Sequence, residues 1–315
     1  MKYFVTGGAG FIGSHLVDML VEKGDVSVYD NFDLGKREYI KQHINKNGFK
    51  VYQADVLDFE TLFKAMNGHD AVFHISASNN IAGGLEHTDL DLKQGTLATY
   101  NVLEAMKRNG IKKIVYSSSA TVYGQAKVFP TTEDQTFQMP VSLYGSSKVA
   151  SEALISAFCH LFDMQAWIFR FGNVSGERQT HAVLFDFINK LKNNPEELEI
   201  LGDGKQKRCF FLVQDCVAGM LFGFENAKEQ INVFNLGVSS MTDITTVAAI
   251  LVEEMGLKNV KFKYTGGPLG FPGDVPQVSL DVEKMAKLGW RARFESTDAI
   301  RQAVKDILGE KQKKF

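Results

Sequence analysis

Short apolar runs alternate with longer stretches in which apolar positions recur every three to four residues. The runs fall at 2–6, 25–29, 49–53, 71–75, 112–117 and 165–170, and the helical patterns at 11–23, 58–66, 88–109 and 143–162. Such alternation predicts right-handed crossovers and an α/β fold of Rossmann type, a doubly wound parallel sheet with helices on both faces. The pattern changes after about Phe171. Short elements then mix with Gly/Pro loops such as Leu201-Gly202-Asp203-Gly204 and Gly266-Gly267-Pro268, and strand–helix–strand alternation returns between Arg208 and Gly237. We therefore expect a dinucleotide-binding domain from 1–171 and 208–238 and a smaller C-terminal α/β substrate domain from 172–207 and 239–315. Helices are expected at 242–255, capped by Thr242 or Asp243, and at 297–308, capped by Ser296 or Thr297. The tail from Lys311 to Lys314 reads as solvated and frayed.

Composition narrows the class. A chain of 315 residues can bury a large core, and 44% hydrophobic with 23% charged residues is ordinary for a soluble enzyme. A net charge of −2 gives no footprint for nucleic acid or an anionic membrane. No apolar run is long enough to cross a bilayer, and Met1 starts directly on a core strand, so a cytoplasmic protein without a leader is expected. Cys159, Cys209 and Cys216 are odd in number and contain no Cys-x-x-Cys pair. They read as reduced thiols, and the histidines show no metal-ligand spacing.

The first strand runs into Thr6-Gly7-Gly8-Ala9-Gly10-Phe11-Ile12-Gly13. Gly7 permits a tight strand-to-helix turn, Gly10 lets a pyrophosphate approach the backbone, and Gly13 lets the helix pack closely on the strand. The helix start at Phe11 and Ile12 offers unpaired N–H groups and a partial positive charge to that anion. Asp30, ending the second strand, stands where a carboxylate accepts both hydroxyls of an adenosine ribose. Asn31, Phe32 and Asp33 follow it with no arginine, so NAD is expected over NADP. Asp55 and Val56 follow the third strand, where an acid can meet the adenine amino group.

Tyr144 and Lys148 are four apart, one helical turn on one face. That pair gains weight from Ser117-Ser118-Ser119 at the end of the fifth strand, because ligands in open α/β sheets bind beyond the carboxyl ends of the strands. His74, ending a buried strand, reads as a structural histidine beside the cofactor. A free tyrosine titrates near 10, so a base at neutral pH needs a shift of roughly 3 units, about 4 kcal/mol. One cation at about 4 Å supplies about that much at an effective dielectric of 20, so Lys148 plus the positive nicotinamide ring is sufficient in magnitude.

Taken together these motifs resemble the extended short-chain dehydrogenase/reductase family, specifically its NAD-dependent nucleotide-sugar epimerases and dehydratases. Ser117-Ser118-Ser119-Ala120-Thr121-Val122-Tyr123-Gly124 is similar to the active-site strand of UDP-galactose 4-epimerases, and the resemblance covers nearly the whole chain. It implies Ser119, Tyr144 and Lys148 as the catalytic residues. It implies Gly7, Gly10, Phe11, Ile12, Gly13, Asp30, Asn31, Asp55, Val56, Ser117, Tyr144 and Lys148 as cofactor contacts. It implies Asn173 and Arg208 on the diphosphate of a nucleotide-sugar substrate, with Ser119 and Val278 at the sugar. It also implies a homodimer built from the apolar helices at 94–107, with Leu97, Tyr100, Val102, Leu103 and Met106, and at 149–162.

The chain departs from that family's pattern at several positions. Leu92-Lys93-Gln94-Gly95-Thr96 replaces Asn-Val-x-Gly-Thr, Cys209 interrupts Arg-Asp-Phe, and Phe271 replaces the arginine of Arg-Pro-Gly-Asp. Gly172 stands where many relatives have phenylalanine, and Val278 where galactose epimerases have a tyrosine gate. Both remove bulk, which points to a larger sugar such as an N-acetylhexosamine or heptose, or to another nucleotide such as GDP. The leading expectation is 4-epimerisation through a 4-keto sugar. Its rival is a nucleotide-sugar 4-dehydrogenase that releases the keto-sugar. A 4,6-dehydratase fits less well, because Ala120 and Thr121 stand where its acid/base pair belongs. A non-catalytic NAD-binding regulator would have no use for the Ser/Tyr/Lys set.

Overall fold

The structure, a computed structural model, describes residues 1–78, 84, 86–135 and 139–312. The expected runs form β1 (Lys2–Thr6), β2 (Asp25–Asp30), β3 (Phe49–Gln53), β4 (Ala71–His74), β5 (Lys113–Ser119) and β6 (Gln165–Phe171). Between them lie α1 (Phe11–Leu20), α2 (Phe59–Met66), α3 (Ala98–Asn109) and α4 (Leu143–Phe162). Residues 172–315 add β7 (Asn173–Ser175), α5 (Ala182–Asn193), β8 (Glu197–Ile200), β9 (Lys207–Arg208), β10 (Phe210–Leu212), α6 (Val213–Asn226) and β11 (Ile231–Leu236). They continue with β12 (Thr242–Asp243), α7 (Ile244–Glu254), β13 (Lys261–Tyr264), α8 (Glu283–Leu288) and α9 (Ser296–Gln312).

Seven strands form one sheet in the order β11-β6-β5-β4-β1-β2-β3, and every pairing in it is parallel. The order runs outward from β1 in one direction and from β4 in the other, so the sheet has its switch point between their carboxyl ends. Both faces are covered. One carries Val5, Leu16, Phe73, Phe169 and Met220, and the other Phe4, Leu62, Val102, Met106 and Ile168. β11 joins β6, from Ile231 against Ala166 to Leu236 against Phe171. A separate apolar cluster of Leu184, Phe187, Leu198, Leu251, Ile300 and Val304 binds α5, α7 and α9 into a second lobe. Each such side chain contributes about 1.5–3 kcal/mol on burial.

Local signals set the helix starts. Asp58 caps α2 by accepting from Thr61 N–H at 3.2 Å, Ser142 caps α4 by accepting from Gly145 N–H at 3.1 Å, and Asp243 caps α7 by accepting from Thr246 N–H at 2.9 Å. Three boundaries differ from expectation. α1 stops at Leu20, because the chain turns there to bring Asp25 N–H to the Met1 carbonyl. The pattern at 88–109 is not one regular helix: Leu92–Leu97 forms a π-turn ahead of α3. The wide turn lets the Gly95 carbonyl accept from Thr99 Oγ1 at 2.8 Å. α9 starts at Ser296 and runs to Gln312, so part of the expected frayed tail is helical; Lys313 and Lys314 lie outside the described residues.

Candidate active site

The strands of the main sheet that carry predicted site residues, β1, β2 and β5, present them at their carboxyl ends, the edge where the switch point lies. Gly7 leaves β1 with φ of +68°, and a Cβ there would come within 2.8 Å of Ser76. A Cβ on Gly13 would come within 2.0 Å of the Gly7 carbonyl, so α1 can approach this turn only with glycine at that position. On Gly10 it would meet that carbonyl at 3.3 Å. No side chain caps α1, so its first N–H groups, at Phe11 and Ile12, face outward from the turn. This is a cradle for a pyrophosphate.

The adenosine end is built from two strand ends. Asp30 is 7% exposed. It accepts from Ala9 N–H at 2.9 Å and from Phe32 N–H at 2.8 Å. Burial pushes its carboxyl upward, and these two N–H groups oppose that. Asn31 reaches across to Asp55 at 3.2 Å. Asp55 also accepts from Leu57 N–H at 2.8 Å and from Gln94 at 3.3 Å. Val56 is buried, its carbonyl held by Asn101 at 3.1 Å. A glycine cradle followed by a buried acid at the next strand end fits a dinucleotide with a free ribose diol.

The reactive set lies on the other side of the switch point. Ser119 ends β5, and its Oγ accepts from Thr121 N–H at 3.2 Å. Ser117 Oγ donates to the His74 carbonyl at 3.3 Å, which ties β5 to β4. Lys148 is 2% exposed. Its Nζ donates to the Ser117 carbonyl at 2.7 Å and lies 4.7 Å from the Tyr116 ring centre and 5.5 Å from that of Tyr144. Burial lowers Lys148 to about 8 against the opposing pull of Glu152 and Asp91. Tyr144 is pushed up to about 12, first by burial and then by the Asp91 charge, while a hydrogen bond with Ser119 pulls it down. Burial first and the Asp91 charge second thus hold Tyr144 as a phenol, so Lys148 alone does not make it a base; the expected shift counts the positive nicotinamide ring as well. His74 is buried with both ring nitrogens partnered, to Thr6 Oγ1 at 2.7 Å and Thr99 Oγ1 at 3.1 Å. Burial, helped by Lys148, lowers it to about 3, so it stays neutral.

The expected substrate contacts converge less fully. Asn173 opens β7, half-buried, with its N–H on the Cys209 carbonyl at 2.8 Å. Val278 is half-buried and its N–H bonds the Lys207 carbonyl at 2.9 Å. Arg208 is largely consumed within the protein. It forms a buried ion pair with Asp274 and donates to the carbonyls of Val275 at 2.6 Å, Lys207 at 2.8 Å and Pro276 at 3.3 Å. Only its Nε–H has no partner among the described residues. The steric reading of Gly172 is corrected. A Cβ there would come within 2.6 Å of Cys209 Sγ and 2.9 Å of its carbonyl, so the cysteine takes up the space and glycine does not widen the pocket.

Two features escape the sequence reading. Glu152, one turn beyond Lys148, accepts from Ser118 Oγ and pairs with Arg170 at 3.0 and 2.7 Å. Arg170 also donates to the Tyr123 hydroxyl at 2.9 Å, and that hydroxyl donates to Asn235 at 2.7 Å. This buried network fixes the end of β5 beneath Ser119. The four-residue spacing from Tyr144 through Lys148 to Glu152 is visible in the chain and points to it. Asp91, 2% exposed, has no such signal, because only the π-turn brings it to Tyr144 and Lys148.

A doubly wound parallel sheet, a dinucleotide cradle and a Ser/Tyr/Lys set at its switch point define an NAD-dependent Rossmann enzyme. Residues 3–237 match the NAD dependent epimerase/dehydratase family, and the chain belongs to it. It is 33% identical over 308 residues to a Methanocaldococcus jannaschii protein that carries the name UDP-glucose 4-epimerase by assignment only, covering 95% of this chain and 96% of that one. The crystal structure of a UDP-galactose 4-epimerase superposes with a TM-score of 0.88 at 34% identity, covering 98% and 99% of the two chains. A UDP-N-acetylglucosamine 4-epimerase from Methanobrevibacter ruminantium, in complex with UDP-N-acetylmuramic acid, superposes with a TM-score of 0.88 at 27% identity, covering 98% of each.

Proposed function

We propose that the chain is a nucleotide-sugar 4-epimerase that oxidises carbon 4 to a ketone and restores the hydrogen on the opposite face. One observation carries this: Ser119, Tyr144 and Lys148 gather beside the dinucleotide cradle, with Lys148 Nζ 5.5 Å from the Tyr144 ring centre and anchored at 2.7 Å to the Ser117 carbonyl. NAD, when bound, accepts and returns the hydride. Gly7, Gly10 and Gly13 with the Phe11 and Ile12 amides would hold its pyrophosphate, and Asp30, Asn31, Asp55 and Val56 its adenosine. Tyr144 takes the proton from the sugar's 4-hydroxyl, Ser119 orients that hydroxyl, and Lys148 supplies fixed positive charge beneath both. Asn173 and the free edge of Arg208 face the diphosphate, and Val278 lines the sugar side. The domain division given above follows from the same assignment.

The Methanobrevibacter relative acts on an N-acetylated sugar, and Val278 leaves room for one here. A 4-dehydrogenase would use the same groups, so the decisive experiment separates the two. The protein is incubated with UDP-galactose, UDP-N-acetylglucosamine, UDP-glucuronic acid and GDP-mannose, followed by proton NMR and absorbance near 340 nm. Appearance of a 4-epimer with no stoichiometric NADH supports the proposal; a released keto-sugar overturns it in favour of the dehydrogenase. We also propose a homodimer, on a narrower face than the sequence suggests. Val102, Leu103 and Met106 are buried within the subunit, leaving exposed Leu97 at the end of the π-turn, Tyr100 on α3 and Leu161 on α4.

A further inference from the structure

Asp91 is the one carboxylate near Lys148 that the described residues leave without a cation of its own. It precedes the π-turn Leu92–Leu97. That turn presses on α4 at Gly95, where a Cβ would come within 2.6 Å of Ser147 Oγ, and Ser151 Oγ donates to the Gly95 carbonyl at 3.5 Å. Ser147 sits between Tyr144 and Lys148, so the turn delivers Asp91 to the same stretch of α4. At Gly84 a Cβ would lie 3.4 Å from Asp91 Oδ2 and 3.7 Å from Leu143, so Gly84 sits between that oxygen and the first residue of the helix. Asp91 is 2% exposed. Ser78 hydrogen-bonds its side chain, and Oδ2 is buried with no partner among the described residues. Burying a carboxylate this way is costly unless a nearby charge answers it.

The groups around Lys148 show which charge that is. On its own helix stand Tyr144 and Glu152, from β5 comes the Tyr116 ring, from β4 the neutral His74, and from the π-turn Asp91. Glu152 is already committed, since Arg170 pairs with both of its oxygens and Ser118 donates to one. Asp91 is not.

We propose that Asp91 is a positioning residue of this site, a buried counter-charge that the π-turn holds against the stretch of α4 carrying Tyr144 and Lys148. A single negative charge raises the proton affinity of both neighbours, which accords with the direction of its effect on each. The role is independent of which sugar the enzyme takes.

The test reads Lys148 itself rather than turnover. Protein carrying ¹³C at the lysine ε-carbon is titrated by NMR between about pH 6 and pH 10, with the Lys148 signal assigned by its loss in Lys148→Met. In the wild-type chain this signal is expected to titrate at about 8. Asp91→Asn and Asp91→Ser, each checked for wild-type circular dichroism, are expected to move that titration down by about one pH unit. The two variants share no shape, so a common shift reports the lost charge. If Lys148 titrates at the wild-type pH in either folded variant, the proposal is overturned.

Discussion

At the residue scale, the proposed reactive set stands out in the chain because chemistry and spacing coincide. Tyr144 and Lys148 share one helix face, and Ser119 ends the strand beside them, so Tyr144→Phe should lower turnover about a hundredfold or more. Bound NAD recovered from the denatured variant should match wild type. Retention of more than about a tenth of the rate, under about 1.4 kcal/mol of barrier, would exclude Tyr144 as the base. Residue environments were not legible. The chain shows that a ring is missing at Gly172, but not that Cys209 fills the space. It shows an arginine at 208, but not that Asp274 and three carbonyls occupy it. For His74 the structure adds a pH dependence. Its pKa is lowered to about 3 in the fold, whereas the unfolded chain protonates it near 6.5. The unfolded state therefore binds the extra proton below about pH 6.5. The neutral ring's contribution is full at pH 7 and is lost as pH falls, by about 2 kcal/mol at pH 5. Urea unfolding at both pH values should show a smaller drop in stability for His74→Gln than for wild type.

At the element scale, what the chain announces is what local chemistry decides. Ser142, Asp58 and Asp243 accept from backbone N–H groups three residues on, and their helices begin where such residues stand. The π-turn at Leu92–Leu97 was not foreseen, since it answers to contacts that are local neither to one helix nor to one period. Gly95 meets Ser147 from α4, and its carbonyl takes Thr99 and Ser151. The Ser142 cap has a functional consequence, because Tyr144 lies in the first turn that it secures. Ser142→Ala should cost about 1 kcal/mol in a urea unfolding experiment. It should also reduce kcat more than NAD affinity, because Lys148 and the glycine cradle lie away from the frayed turn. Equal loss of both would place the effect in the whole fold instead.

At the scale of the whole molecule, the alternation of strand and helix foretold the parallel sheet, and the site proposed above stands at its switch point between β1 and β4. The sequence did not foretell how the second lobe meets that site. Arg208 and Asp274 pair across 66 positions, and Val278 N–H joins the Lys207 carbonyl, so β9 and the loop after β13 are tied into one unit. With Gly172 closed off by Cys209, the case for a substrate larger than galactose rests on Val278 alone. A tyrosine has a ring and a hydroxyl that valine lacks, and nothing among the described residues at this position replaces them. Val278 packs against the main core cluster with part of its surface exposed, so a larger side chain there must extend on its exposed side rather than into the core. Val278→Tyr should accordingly lower kcat/KM for an N-acetylated nucleotide sugar at least tenfold, about 1.4 kcal/mol, while changing that for a simple hexose much less. The comparison is made on one preparation with UDP-N-acetylglucosamine and UDP-galactose. A wild-type enzyme that already prefers UDP-glucose and UDP-galactose over every larger sugar would show that the missing ring does not set the substrate.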